Sequence, residues 1–347
     1  MKKILFLTTA FLCGALMVQA ADYELVWNED FTDGALDTNV WNIEDNGNGG
    51  GNNELQYYCE KGVSIERDPQ EGKHCLVLTA HKESYKGKGV TSGRVNSKQN
   101  TYFTYGKIEA RIWFPKTANG LWPAFWMMGN NFDEVGWPRC GETDIIELGH
   151  SNGFRNDKQE FYFNGAMHVG SAWNTVWSEA NAVTNPFSVE DGFHIISCEW
   201  TPTQIAMYVD KDEHPELPSY FLQNLEPNDD PNYNRKEVFG KPNFIIFNLA
   251  VGGNFPGIFD INKITALANG DKKMYIDWVR VYQRGDEGQT AHFSSESDEI
   301  EEADPNWEPV EAVKNVQAES VVTKQFVNGR LVIVRGENAY DVLGNKQ

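Results

Sequence analysis

The chain has 347 residues, with 50 Asp and Glu against 30 Lys and Arg, a formal charge of −20. Such an acid excess excludes nucleic acid and anionic lipid surfaces as partners. The length suits one large β domain or two smaller ones, with ample material for a core.

Met1-Lys2-Lys3 and the apolar run over 4–17 have the basic start and hydrophobic stretch of a secretory signal. Val18-Gln19-Ala20 supplies the small residues of a cut site. Residues 1–20 are therefore expected to be removed, leaving a mature chain that begins at Ala21 in the periplasm, on the cell surface or in the medium. Cys13 follows Leu12 rather than a small residue, which argues against a lipid anchor. No later run reaches the roughly 18 apolar residues of a membrane span.

Beyond the leader, short alternating runs recur and no long helical period is visible. The clearest strand covers 107–114, with Ile108, Ala110, Ile112 and Phe114 on one face and Lys107, Glu109, Arg111 and Trp113 on the other. Further strands are predicted at 54–58, 75–80, 195–200, 205–209, 244–249 and 274–282, and one short helix at 264–268. Turn-forming clusters at 46–53 and 227–233 punctuate them. Many short strands between turn signals predict an all-β fold, a sandwich or jelly roll. Cys59, Cys75, Cys140 and Cys198 remain in the mature chain. Export permits a Cys59–Cys75 bridge between neighbouring strands, and free buried thiols are the other reading. No cysteine pair has metal-site spacing. The main domain is taken as 21–283. An acidic, Ser-containing linker follows over 284–312, then a small strand-rich appendage over 313–347, with strand pattern at 321–322 and 330–334.

The chemistry gathers on Gly141-Glu142-Thr143-Asp144-Ile145-Ile146-Glu147-Leu148-Gly149-His150. On a strand Glu142 and Asp144 share a face, while Glu147 would point the other way. One extra residue between Asp144 and Glu147, a β-bulge, returns Glu147 to their face. Two Glu side chains leaning together over a shorter Asp then approach the roughly 5–5.5 Å used when one carboxylate attacks an anomeric carbon and the other protonates the leaving oxygen. An acidic, solvated strand face is the alternative reading of the same ten residues. Upstream, Trp122 and Trp126 lie four apart in Gly120-Leu121-Trp122-Pro123-Ala124-Phe125-Trp126-Met127-Met128-Gly129, on one face of a strand. They are either a platform for sugar rings or a core pair. A Ser or Cys nucleophile has less support, since no G-x-S-x-G elbow is present and Cys140 has no evident base.

An ordered set of motifs accompanies these stretches. They are Gly51-Asn52-Asn53-Glu54-Leu55-Gln56-Tyr57-Tyr58, Thr91-Ser92-Gly93-Arg94, Tyr105-Gly106-Lys107-Ile108-Glu109-Ala110-Arg111, Glu199-Trp200-Thr201-Pro202, Asn248-Leu249-Ala250-Val251-Gly252-Gly253-Asn254 and Tyr275-Ile276-Asp277-Trp278-Val279-Arg280-Val281-Tyr282. With the Trp122 and Glu142 stretches they run over about residues 22–283, and the chain resembles glycoside hydrolase family 16, laminarinase-like with the β-bulge site. That resemblance implies a curved, concanavalin A-like jelly roll with an open cleft, Glu142 as nucleophile, Glu147 as acid/base and Asp144 as assisting carboxylate. It places Asn53, Arg94, Trp122, Trp126, Trp137 and His168 around the bound sugar. On residue type alone, Arg94 serves equally as a buried ion-pair partner and His168 as a structural histidine. The resemblance implies no cofactor for catalysis and a structural calcium ion held by Glu29 and Gly72 carbonyls and the Asp277 carboxylate.

The expectation that follows is a secreted, monomeric, retaining endo-hydrolase of β-1,3- or mixed β-1,3/1,4-glucan. A β-galactoside substrate (poly-N-acetyllactosamine O-glycans or an algal galactan) is the first alternative, and a non-catalytic sugar-binding module the second. Two departures bear on the substrate. Gly49-Gly50-Gly51 stands where the family often has an aromatic before Asn52-Asn53, and 227–240 forms a loop beside the last cleft strands.

Overall fold

The alternation at 107–114 becomes a strand, Gly106–Trp113, whose Ile108, Ala110 and Ile112 are buried while Lys107, Glu109, Arg111 and Trp113 are half-buried. The protein is seen in a computed structural model that describes residues 22–286, 288–305 and 307, and the backbone of 322–327, 330–335 and 338–340. The expected leader over 1–20 lies outside the described residues.

Around Gly106–Trp113 one antiparallel sheet runs in the order Phe221–Asn224, Gln204–Val209, His194–Thr201, Gly106–Trp113, Lys272–Gln283, His74–Ala80, Val63–Arg67, with Glu24–Glu29 also on Lys272–Gln283. A second sheet runs Val176–Thr184, Tyr162–Gly170, Glu142–Leu148, Leu121–Gly129, Asn243–Val251, Arg94–Asn96, Asn42–Ile43. Its side branch joins Thr290–His292 to Tyr102–Thr104 and thence to Asn243–Val251. The two sheets face each other over one apolar core, with Phe125, Ile145, Ile146, Phe163 and Phe247 from one and Ile108, Ile112, Ile196, Ile276 and Val279 from the other. This is the all-β sandwich that the pattern predicts, and neither sheet closes on itself. Leu121–Gly129 is buried along its whole length. Its Phe125 and Met127 enter the core, and Ala124, Trp126 and Met128 join Phe244 and Ile246 in a second apolar layer on the outer face of the sheet.

Several local expectations give way to tertiary context. The strand predicted at 54–58 shrinks to Tyr57–Tyr58, which pairs in parallel with Thr91–Ser92, because Gly49, Gly50, Gly51 and Asn53 all take positive φ and curl the chain ahead of it. Residues 264–268 form no helix. The neighbouring turn is a 3-10 helix at Ile261–Lys263, and single-turn helices stand at Phe132–Val135, Ser151–Arg155 and Arg235–Val238. One turn is too short to leave a periodic signature. Cys59, Cys75, Cys140 and Cys198 are all buried, and the Cys59–Cys75 bridge is not formed.

The acidic stretch also differs from a solvated linker. Over 288–301 it belongs to the first of two compact units, which comprises the described part of 1–67 and 74–301. Phe293 stacks on Trp27 at 5.5 Å, Asp298 accepts from the Asp30 N–H at 2.9 Å, and Glu301 accepts from the His74 N–H at 2.7 Å. The second unit contains 68–73 and the described part of 302–347. Its strands Val322–Val327, Arg330–Arg335 and Asn338–Tyr340 form a three-stranded antiparallel meander.

Candidate active site

The acidic run forms the strand Glu142–Leu148 in the middle of the second sheet. Opposite it, Trp126 faces Asp144 but Phe125 faces Ile146, so Ile145 is the extra residue. The same shift recurs on the other side, where Asp144 faces Ala166 and Glu147 faces Asn164. Ile145 and Ile146 are both buried in the core, and the Tyr220 hydroxyl donates to the Ile145 carbonyl. This bulge puts Glu142, Asp144 and Glu147 together on the lining of one cleft of about 1180 Å³. The strand ends where Gly149, at φ +92°, passes under Leu121. A Cβ there would meet the Leu121 carbonyl at 1.9 Å, so only glycine fits.

Each carboxyl group has its own partners. Glu147 accepts from the Trp122 indole N–H at 2.9 Å and from the Asn164 amide at 2.9 Å, one donor on each oxygen. Asp144 is 3.2 Å from His168 Nε2, and His168 Nδ1 is 2.7 Å from the Ser178 hydroxyl. Burial pushes the Glu142 and Asp144 carboxyls well above the ordinary range, and a neighbouring carboxylate adds to this, Asp144 acting on Glu142 and Glu147 on Asp144. Burial also raises Glu147, against the pull of its Asn164 and Trp122 hydrogen bonds. Three buried carboxyls in one cluster cannot all ionise cheaply, so the free site holds protons.

Of the other expected site residues, Trp122, Trp126, Trp137, Arg94 and His168 all line the cleft. Their roles are more divided than a row of sugar platforms. Trp122 orients Glu147 and stacks on Phe255 at 4.8 Å, while Trp126 donates to Asn248 at 2.7 Å. Arg94 is an ion-pair partner on the cleft lining. It pairs with Glu44 at 2.8 Å and lies over the Trp126 ring at 4.8 Å. Asn53 is set apart from the lining residues, its amide donating to Asn254 at 2.9 Å, and Asn52 and Asn254 reach the cleft instead. Asn164, Ser178, Phe255 and Trp173 are cleft residues that the sequence did not single out. Asn164 and Ser178 had a signal in principle, as the antiparallel neighbours of Glu147 and His168.

The expected calcium set is divided between the two compact units, with Glu29 and Asp277 in the first and Gly72 in the second. Asp277 is buried with its carboxylate 2.6 Å from the Arg111 guanidinium, so the one anionic ligand of the set is already balanced by a cation. Gly72 falls in the second compact unit, where a Cβ on it would meet the Trp307 ring at 2.3 Å. With the Arg111 guanidinium on its carboxylate, Asp277 as arranged does not fit a calcium ion. Among the described residues the one cluster with metal-ligand spacing is Glu142, Asp144 and His168, in which the carboxyls are turned to one another and to the cleft.

Comparison with known proteins places these features. The chain is 38% identical over 265 residues to the clotting factor G alpha subunit of Tachypleus tridentatus, covering 75% of this chain but only about a third (34%) of that relative's length. It is 36% identical over 242 residues to a glucan endo-1,3-beta-glucosidase of Cryptopygus antarcticus, covering 67% of this chain and 82% of the relative. Among solved structures, the family 16 enzyme of a Bacteroides ovatus mixed-linkage glucan locus, in complex with a G4G4G3G product, superposes with a TM-score of 0.64 at 36% identity, over 74% of this chain and all of that one. The profile of the glycosyl hydrolases of family 16 matches residues 53–280, which contain the bulged strand and its three carboxyl groups. The chain therefore belongs to glycosyl hydrolase family 16.

Proposed function

We propose that this protein is a retaining endo-hydrolase of β-1,3- or mixed β-1,3/1,4-glucan. The observation that carries the reading is the set of three carboxyls brought to one cleft by the Ile145 bulge, with Glu147 held by two donors. The glucan assignment draws on the Cryptopygus and Bacteroides relatives. Glu142 attacks the anomeric carbon while Glu147, kept protonated by its raised pKa, gives its proton to the departing glycosidic oxygen. Asp144 takes the proton that lets Glu142 ionise, and His168, fixed by Ser178, sets the position of Asp144. In the second half Glu147 takes a proton from water, which releases the sugar from Glu142 with its anomeric configuration retained. No cofactor takes part in these steps.

Digestion of laminarin, barley mixed-linkage glucan and keratan-type galactoside glycans side by side tests the substrate. Oligosaccharide release from either glucan is expected, and release from galactosides alone would replace glucan by galactan. The Asn164 contact makes a second prediction. Its N–H stabilises ionised Glu147, so Asn164→Ala removes a force that lowers the Glu147 pKa. The alkaline limb of kcat/KM should move up by about one pH unit, the worth of one hydrogen bond to a charged group. A limb that stays or moves down would show that Glu147 does not set it. For the calcium set, the Arg111–Asp277 pair predicts that EDTA leaves the melting temperature unchanged, and a drop reversed by added calcium would show the ion displacing Arg111.

A further inference from the structure

The two walls of the cleft carry opposite kinds of surface. On one wall, Gly49, Gly50 and Gly51 follow one another at φ +80°, +57° and +77° and present no side chain. A Cβ on Gly50 would meet Glu54 Oε1 at 2.2 Å, so that bare turn is obligatory with Glu54 where it is. This loop is tied to the end of the sheet at Val251 and Asn254, through Leu55 N–H to Val251 O at 2.8 Å and Asn254 N–H to Asn52 O at 2.8 Å. On the other wall, the turn after Tyr162–Gly170 carries Trp173, which is 70% exposed. Its strand neighbours toward the cleft, Ser178, Ala180 and Ala182, are small.

The register fixes where these walls stand. Val251 pairs with Leu121, near the Leu148 end of the acidic strand, whereas Gly170 lies beyond His168, the partner of Glu142 at the opposite end. The Trp173 ring nevertheless comes to 3.5 Å from where a Gly51 Cβ would sit, so the indole and the glycine turn meet. At the same time it packs on the Trp137 ring at 4.3 Å. Trp137 flanks Glu142, and its buried indole N–H acts on that carboxyl against the upward push of burial. A large apolar face left 70% exposed in a cleft, braced by a second indole and by the glycine turn, is a surface shaped to be covered by a flat, weakly polar ligand.

We propose that Trp173 is a specificity-determining residue. It supplies the stacking face that the glycine turn lacks, with one sugar ring of the bound chain lying on the solvent-facing side of its indole, next to the ring that Trp137 places against Glu142. Because the indole closes against the glycine turn, it fixes how the chain lies along the cleft and thereby the length of the released oligosaccharides.

The inference rests on the reading of this cleft as a polysaccharide-cutting site, and one experiment separates the two. Time-resolved product profiles and kinetics are measured for wild type, Trp173→Ala and Trp173→Phe on the polymer that the wild type cuts fastest. Trp173→Ala should raise KM about three- to tenfold, the worth of one aromatic contact, and shift the sizes of the early products. Trp173→Phe, which keeps a stacking face, should recover part of both. A melting curve like that of wild type is expected, since so exposed an indole adds little to the core. If Trp173→Ala matches wild type in KM and in early products, or loses only kcat, the assignment is wrong although the enzyme reading stands. A wild type that cuts none of the polymers overturns both.

Discussion

Glu142→Gln is expected to lower turnover of the glucan by a factor on the order of 10⁴ or more while leaving oligosaccharide affinity within a few-fold of wild type. The amide keeps the size and most of the polar shape of the carboxylate, so the cleft remains formed. It has no anionic oxygen to attack the anomeric carbon, so the covalent step is lost. A sugar-binding module would show binding in both proteins and turnover in neither, and undiminished hydrolysis by the variant would remove Glu142 from the nucleophile role. The same variant carries a stability signature. The folded-state pKa of Glu142 lies well above the ordinary glutamate value of 4.5. Below that value both states bind the proton, and Glu142 adds no pH dependence. As pH rises above it, the unfolded chain releases the proton while the folded protein retains it, so the wild type loses stability toward neutral pH. Gln removes that loss and one of three crowded carboxyls. The melting temperature of Glu142→Gln relative to wild type should therefore climb as pH rises above the ordinary glutamate value of 4.5. A difference that is flat or falls would mean the carboxyl cluster imposes no such cost.

The parts of this site that were legible in the sequence are those that local pattern can encode. Alternation placed Gly106–Trp113 and gave Trp122 and Trp126 one face. The bulge could be inferred because Glu142, Asp144 and Glu147 make chemical sense only on a common face, and the register shows the single extra residue, Ile145, that this requires. Partners contributed by pairing were harder to see. Asn164 reaches Glu147, and Ser178 reaches His168, only because three strands run antiparallel in one register. A one-residue slip would turn each away, and no local feature of 162–184 announces it. Trp173 is less legible still, since its position depends on a turn that reaches back over the sheet to Gly51. The acidic stretch fails for a different reason. Its average composition is that of a linker, but Phe293 against Trp27 and Asp298 against the Asp30 N–H anchor it at specific points that an average hides. Lost rotamer freedom at a few such residues is outweighed when each finds a buried partner.

Glu147→Gln should be nearly as damaging on the natural polymer, with a loss of roughly 10²- to 10⁴-fold, and its pattern across substrates identifies the role. A sugar alkoxide is a poor leaving group and needs the Glu147 proton as the bond breaks. A dinitrophenolate needs almost none. On an aryl glycoside of that kind the first step should therefore proceed at a rate close to that of wild type. The second step should then stall, because Gln cannot take a proton from water, and the sugar should accumulate on Glu142. Azide needs no deprotonation and can attack from the place of the water, so it should restore turnover and yield the β-glycosyl azide, the product of two inversions. Azide acting on Glu142→Ala, where the truncated side chain leaves room for it, has only one displacement available and would give the opposite anomer. The two variants thus assign both carboxyls from the stereochemistry of one product. An α-azide from Glu147→Gln, or equal losses on good and poor leaving groups, would exchange the roles or remove Glu147 from proton transfer altogether.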